Sequence, residues 1–141
     1  MRALFLDFDG VLHPTPLADA DQPLRLLPHL ERLLRGRADV GLVVHSTWRY
    51  VYRTKELAEL LSTAGAPVLG ATPRGPRHEA ILWWLHLNSS LIADYVILDD
   101  DAREFPEPLP PELILCDPAH GILTPGVVDR LGRWLDGPLK P

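Results

Sequence analysis

Short apolar runs alternate along the chain with leucine-rich segments of helical spacing, and polar residues collect where the apolar runs stop. Residues 2–8 predict a buried strand that ends on an acidic pair. Residues 11–23, with His13, Pro14, Thr15 and Pro16, predict an irregular loop. Leucines at 24, 27, 30 and 34, separated by charges, predict a helix over 24–34. Residues 40–45 predict a second strand, followed by Ser46-Thr47-Trp48-Arg49. The next helix is expected over about 52–64, with Leu57, Leu60 and Leu61 facing inward and Gly65 as its stop. A short third strand is expected at 67–70. Residues 76–87 predict a helix with Ile81, Leu82 and Leu85 inward, and Trp84 as a further inward candidate. Residues 95–98 predict a fourth strand running into Asp99-Asp100-Asp101, and 113–116 a fifth. A final helix is expected over 125–135, with Pro125 in its first turn.

Strands and helices in this alternation predict an α/β fold of three layers, Rossmann-like, with a mostly parallel five-stranded sheet and helices on both faces. With 141 residues the chain suffices for one sizeable core and not two, so a single domain over 1–141 is expected. No repeat or low-complexity segment stands out, and the 15 prolines fall mostly between periodic segments as loop punctuation.

Composition narrows the function classes. Apolar residues make up 46% and charged residues 23%, a soluble globular profile. The start MRALFLDFDG places acidic residues in its first apolar run, which argues against a signal peptide, and no run has the length of a membrane span. Cys116 is the only cysteine, which excludes an intramolecular disulfide and a cysteine-based metal cluster and fits a cytoplasmic location. A net charge of -5 argues against broad, non-specific nucleic-acid binding. Two local basic groups, Arg49/Arg53/Lys55 and Arg74/Arg77/His78, remain available to an anionic ligand.

Three predicted strands end on polar residues: Asp7/Asp9, Ser46/Thr47 and Asp99/Asp100. In an open parallel sheet these ends share the edge where ligands bind. Asp7 and Asp9 lie two apart, so their side chains start on one side if the extended path continues. Asp99 adds a third carboxylate, and three carboxylates in a partly buried space repel. A hard cation such as Mg2+ relieves that repulsion better than a soft metal. No histidine is expected beside these acids, which argues against a zinc centre. His45, at a strand end, reads as a hydrogen-bonded core histidine, and Cys116 as apolar filler.

The run FLDFDGVLHP resembles the first motif of the haloacid-dehalogenase-like (HAD) superfamily, an apolar strand followed by DxDG. VVHST (43–47) resembles its second motif, Arg77 its third, and VILDD (96–100) its fourth, in the same order. DGVLHP, STWR, an arginine leading a tryptophan-bearing helix, YVILDDD and the Gly-Ile-Leu-Thr at 121–124 are similar to a narrower group, the HAD domains related to Swiss Army Knife RNA-repair proteins.

That resemblance implies a magnesium-dependent phosphomonoester hydrolase. Asp7 would be the nucleophile forming an aspartyl-phosphate, and Asp9 the general acid and base. Mg2+ would be held by Asp7, Asp99 and the Asp9 carbonyl, with Asp100 an outer or alternative ligand and Asp101 a loop carboxylate. Ser46 would donate to a phosphoryl oxygen, with Thr47 as its competitor. Arg77 would neutralise phosphate charge, with Arg74 and Lys55 as rivals, and Gly10 would permit the tight turn. For Trp48 and Arg49 two readings stand: a base stack with a phosphate contact, or a core tryptophan with an arginine paired to a loop carboxylate. His13 is either a substrate contact or a solvated loop residue, and His120 is a candidate substrate contact.

Neither position where such domains insert a cap has room for one, so an open site is expected. It suits a phosphorylated substrate of large size, a polynucleotide end or a phosphoprotein. A phosphotransferase, a catalytic domain within a nucleic-acid repair assembly, and a non-catalytic metal- or phosphate-binding module are the alternatives, and no membrane partner is implied.

Overall fold

The structure is a computed structural model describing residues 1–18 and 21–139. Five strands, β1 (Arg2–Leu6), β2 (Val40–Val44), β3 (Val68–Ala71), β4 (Asp94–Asp99) and β5 (Leu113–Leu115), form one sheet. Its order is β3-β2-β1-β4-β5 and every pairing is parallel. Three helices, α1 (Leu27–Leu34), α2 (Thr54–Leu60) and α3 (Arg77–Leu87), connect β1 to β4 in turn, and α4 (Val127–Asp136) follows β5. The chain steps outward from β1 to β3, then returns across the sheet to β4. The order therefore reverses beside β1, and in such sheets the ligand crevice opens at that reversal.

Alternation along the strands sorts the core into two layers. Leu4, Leu6, Leu42, Val44, Val96, Leu98 and Ile114 face a cluster with Leu27, Leu30 and Leu34 of α1, Leu57 of α2 and Leu131 and Leu135 of α4. Ala3, Phe5, Val43, Ile97 and Leu113 face the other way, against Ile81 and Trp84 of α3. Three helices thus cover one face and α3 covers the other. Burial on both faces is why these strands read as continuous apolar runs.

Several elements differ from expectation. α1 starts at Leu27, because Leu24 takes a left-handed φ of 60° and cannot join a right-handed helix. α2 is shorter than predicted, and Leu60 points to solvent while Leu57 and Leu61 are buried. In α3 Ile81 and Trp84 face the sheet, Leu85 is half-buried and Leu82 is exposed. Pro125 precedes α4, whose first helical residue is Val127. Residues 19 and 20, inside the expected loop at 11–23, lie outside the described set.

The loop after β1 is fixed from a distance. Val11 and Leu12 are fully buried, and both donate backbone N–H bonds to the Phe8 carbonyl. Ile122 N–H reaches back to the Val11 carbonyl at 2.8 Å, and Thr15 N–H to that of Pro118 at 2.8 Å. Gly121 holds φ at 56°, and a Cβ there would stand 2.4 Å from the Val11 oxygen. Only glycine permits that approach. No cap covers the strand ends among the described residues, and no helix among them is long and apolar enough to cross a membrane.

Candidate active site

Register builds the centre of the site. Leu6, Val44 and Leu98 are in register across β2, β1 and β4. The next row is Asp7, His45 and Asp99, joined by Asp7 N–H to the Leu98 carbonyl at 3.2 Å and His45 N–H to the Leu6 carbonyl at 3.1 Å. By strand alternation all three side chains take the α3 side. Their ligand-capable atoms lie within 4.8 Å of one another, and all three residues are buried. Such a cluster of two carboxylates and an imidazole can in principle coordinate a divalent metal. The expectation that no histidine stands near the acids is therefore corrected. His45 occupies the strand position beside Asp7, a neighbour that only the β2–β1–β4 order creates.

Arg77, the first residue of α3, lies over this row. Its Nη1 donates to both oxygens of Asp99, at 3.1 and 3.0 Å, and stands 3.7 Å from Asp7 Oδ2. Neither rival arginine nor lysine reaches the row in this way: Arg74 stacks on Tyr50, 4.4 Å from its ring centre, and Lys55 is exposed on α2. Asp99 is saturated. Besides Arg77 it accepts from His45 Nε2 at 2.8 Å and from Asp101 N–H at 2.9 Å. Burial works to raise its carboxyl, but these donors outweigh burial and hold it below the ordinary carboxylate range. Burial lowers His45 below its usual value despite Asp99, so the imidazole is neutral and Nε2 carries the proton it donates. His45 Nδ1 is buried without a partner. On Arg77, Asp99 and Asp7 outweigh the cost of burial and hold the guanidinium more firmly charged than usual.

Asp7 is the opposite case. Burial, then the charge of Asp99, pushes its carboxyl up to about 8, with Arg77 only partly opposing. Phe8 N–H donates to its Oδ1 at 2.9 Å. A carboxylate held this high is short of positive charge, and Asp100 beside it is raised by burial and by Asp99 as well.

A cavity of about 400 Å³ opens over this edge, lined by Asp7, Asp9, Thr47, Arg77 and Asp100, with Thr15, Asp101, Arg103 and Pro118 at its sides. Asp99 is not among them, since it lies behind Arg77. Asp100 is, and it covers Gly10 so closely that a Cβ there would stand 2.1 Å from its Oδ2. The cavity thus presents Asp7, Asp9 and Asp100, while Asp99 stays beside Asp7 in the buried row able to hold a metal. Thr47 also faces the cavity, whereas Ser46 is fully buried, its Oγ accepting from Trp48 N–H at 3.2 Å.

Arg49 is committed elsewhere. All five of its N–H donors meet protein acceptors: the carbonyls of His45, Ser46, Thr72 and Pro73 and the Tyr50 hydroxyl. It ties the end of β2 to the segment after β3, contacting neither a carboxylate nor the cavity. His120 is exposed outside the cavity lining and pairs with Asp117 at 3.0 Å. His13 is almost fully buried, with Nε2 2.7 Å from Asp9 Oδ1, so it is not a solvated loop residue. Trp48 packs edge-on against Phe8 and donates from Nε1 to Asp9 Oδ2 at 3.2 Å. Thr15, Arg103 and Pro118 carried no sequence signal; a hydrogen bond between distant loops joins Thr15 to Pro118, and Arg103 is held locally by Asp101. Cys116 is buried, and burial followed by the nearby aspartates pushes its thiol up to about 12, which suits an inert filler.

Over residues 3–127 the chain matches the family described as "HAD domain in Swiss Army Knife RNA repair proteins". No curated protein and no solved structure gives a significant match.

Proposed function

The chain belongs to this HAD family, and on that premise we propose that it is a magnesium-dependent phosphomonoester hydrolase with Asp7 as its nucleophile. The observation that carries the reading is Arg77, which faces Asp7 and the cavity together while anchored on Asp99. A phosphoryl group entering the cavity meets the guanidinium and the Asp7 carboxylate side by side. Asp7 attacks phosphorus to give an aspartyl-phosphate, and Asp9 serves as acid for the leaving oxygen and then as base for water. Thr47, which lines the cavity, is the better candidate than Ser46 for a hydrogen bond to a phosphoryl oxygen.

The cavity-facing donor set fits a hard cation. Asp7 and Asp100 through their carboxylates, and Asp9 through its backbone carbonyl, would offer only oxygens, and the raised carboxyls of Asp7 and Asp100 call for positive charge. His45 is set back with Nε2 engaged by Asp99, which disfavours a zinc-type site. Mg2+ held there supplies charge neutralisation for nucleophile and phosphate. The open edge favours a phosphate on a large substrate, and the family description favours a polynucleotide end. The lone buried Cys116 suits a reducing, cytoplasmic setting.

The test is a panel of an aryl phosphate, nucleotides, 3'- and 5'-phosphorylated oligonucleotides and a phosphopeptide, with Mg2+ and with chelator. Turnover that needs Mg2+ and is lost in Asp7→Asn is expected. A wild-type protein inert on the whole panel sinks the hydrolase reading. Activity retained by D7N sinks the nucleophile.

A further inference from the structure

Asp9 is gripped from two sides. Its Oδ1 is 2.7 Å from His13 Nε2 and its Oδ2 is 3.2 Å from Trp48 Nε1. Indole nitrogen is a donor only. The His13 tautomer is fixed from its far side, because Leu24 N–H donates to His13 Nδ1 at 3.1 Å. Nδ1 therefore carries the lone pair and Nε2 the hydrogen. Two N–H groups, one on each oxygen, thus face the Asp9 carboxylate.

Each donor is itself held. His13 is buried, and its carbonyl accepts from Gly10 N–H at 2.9 Å, closing the turn that carries Asp9. Trp48 sits in a short helical turn capped by Ser46 and packs between Phe8, His13 and Tyr52 at ring separations of 5.1, 5.9 and 5.8 Å. One donor comes from the loop after β1 and the other from the loop after β2, so the carboxylate joins the two loops. A carboxylate has about four acceptor positions, so these two bonds leave acceptor capacity free on a side chain that lines the cavity.

We propose that His13 and Trp48 are positioning residues that aim Asp9 at the attacking water in the second half of the reaction. This rests on the hydrolase reading above. In that half, water oxygen bonds to phosphorus while the bond from phosphorus to the Asp7 oxygen breaks and its electron pair returns to Asp7. One water proton passes to the Asp9 carboxylate, and the other leaves with the phosphate. A carboxylate presented by two fixed donors keeps its aim without reorganising during the step. Leaving-group departure from an activated aryl phosphate makes little demand on the acid, so loss of aim is felt chiefly after the aspartyl-phosphate forms.

The experiment compares full-length wild type with Trp48→Phe, His13→Ala and His13→Gln on p-nitrophenyl phosphate with Mg2+, by steady-state and burst kinetics. Trp48→Phe removes one N–H and keeps the ring packing, and His13→Gln keeps a donor for Oδ1. Trp48→Phe and His13→Ala are expected to lower kcat about tenfold, the scale of one hydrogen bond to a charged group. KM should fall with kcat, the burst should grow toward one equivalent, and phosphoenzyme should appear by intact mass after acid quench. His13→Gln should recover much of the loss. If His13→Ala fails to fold, Trp48→Phe decides. Unchanged kcat, or kcat and kcat/KM falling in parallel with no rise in phosphoenzyme, overturns the positioning role while leaving the hydrolase reading intact. A wild type without turnover overturns the hydrolase reading, and this proposal with it.

Discussion

Arg77 donates through a single nitrogen to both carboxylate oxygens of Asp99, at 3.1 and 3.0 Å. Asp99 therefore acts as the counter-charge that seats Arg77, while Asp100 faces the cavity. The two neighbouring aspartates should separate cleanly on substitution. Asp99→Asn takes the anion from the partly buried Arg77 guanidinium and should cost about 1–3 kcal/mol of stability in denaturant unfolding. Asp100→Asn should be no less stable than wild type but should bind Mg2+ more weakly by calorimetry. Equal effects of the two on stability would contradict this division.

The raised carboxyl of Asp7 makes a prediction about pH. Its folded value of about 8 lies above the ordinary 3.8, so between those values the fold holds a proton that the unfolded chain has released. The contribution is complete below 3.8 and is lost as pH rises through about 8. Asn does not titrate, so in chelator the stability of Asp7→Asn relative to wild type should increase from pH 5 to pH 8. The change should be on the order of a few kcal/mol, seen as a shift of several degrees in Tm. Mg2+ should narrow the gap by favouring ionised Asp7. A Tm difference that is flat with pH would refute the elevated value.

Two glycines predict different failures. Gly121→Ala places a Cβ 2.4 Å from the backbone oxygen of Val11 and strains a left-handed φ. It should cost about 2–4 kcal/mol by loss of the neighbouring hydrogen bond plus strain, read by thermal melts. Gly10→Ala, with φ of 75°, instead meets the carboxylate of Asp100, a side chain that can move aside. Its larger effect should be on Mg2+ affinity and turnover, and normal Mg2+ binding by Gly10→Ala would contradict the placement of Asp100.

Much of this was legible in the sequence, for a definite reason. Strands buried on both faces announce themselves as apolar runs, and the residues that end them, Asp7 and Asp99, are visible because charge interrupts the run. Arg77 stood out through its resemblance to the family's third motif, with Arg74 and Lys55 as rivals. The companions of these residues were harder. His45 becomes a neighbour of Asp7 only through strand order, which no local pattern encodes. His13 turns inward because Leu24 adopts a left-handed conformation and offers its N–H to the ring. Arg49 fits neither reading, phosphate contact or carboxylate pair, because the carbonyls it takes up depend on where Thr72 and Pro73 come to lie. Leu60 and Leu82 show the converse, apolar residues in helical phase that face water.

The hydrogen bond from Ile122 to Val11 bears on how the protein comes into being. Translation delivers Asp7 well before Ile122, so the turn beside it gains this bond only after β5 and the segment following it have emerged. Until then a nascent chain holds every acidic group in the cavity, and the loop that carries Asp9 is held by Leu24 and Trp48 but lacks its tie to the segment after β5. Fragments ending before residue 122 should therefore turn over the phosphate panel more slowly than the 141-residue chain even where their sheet has formed.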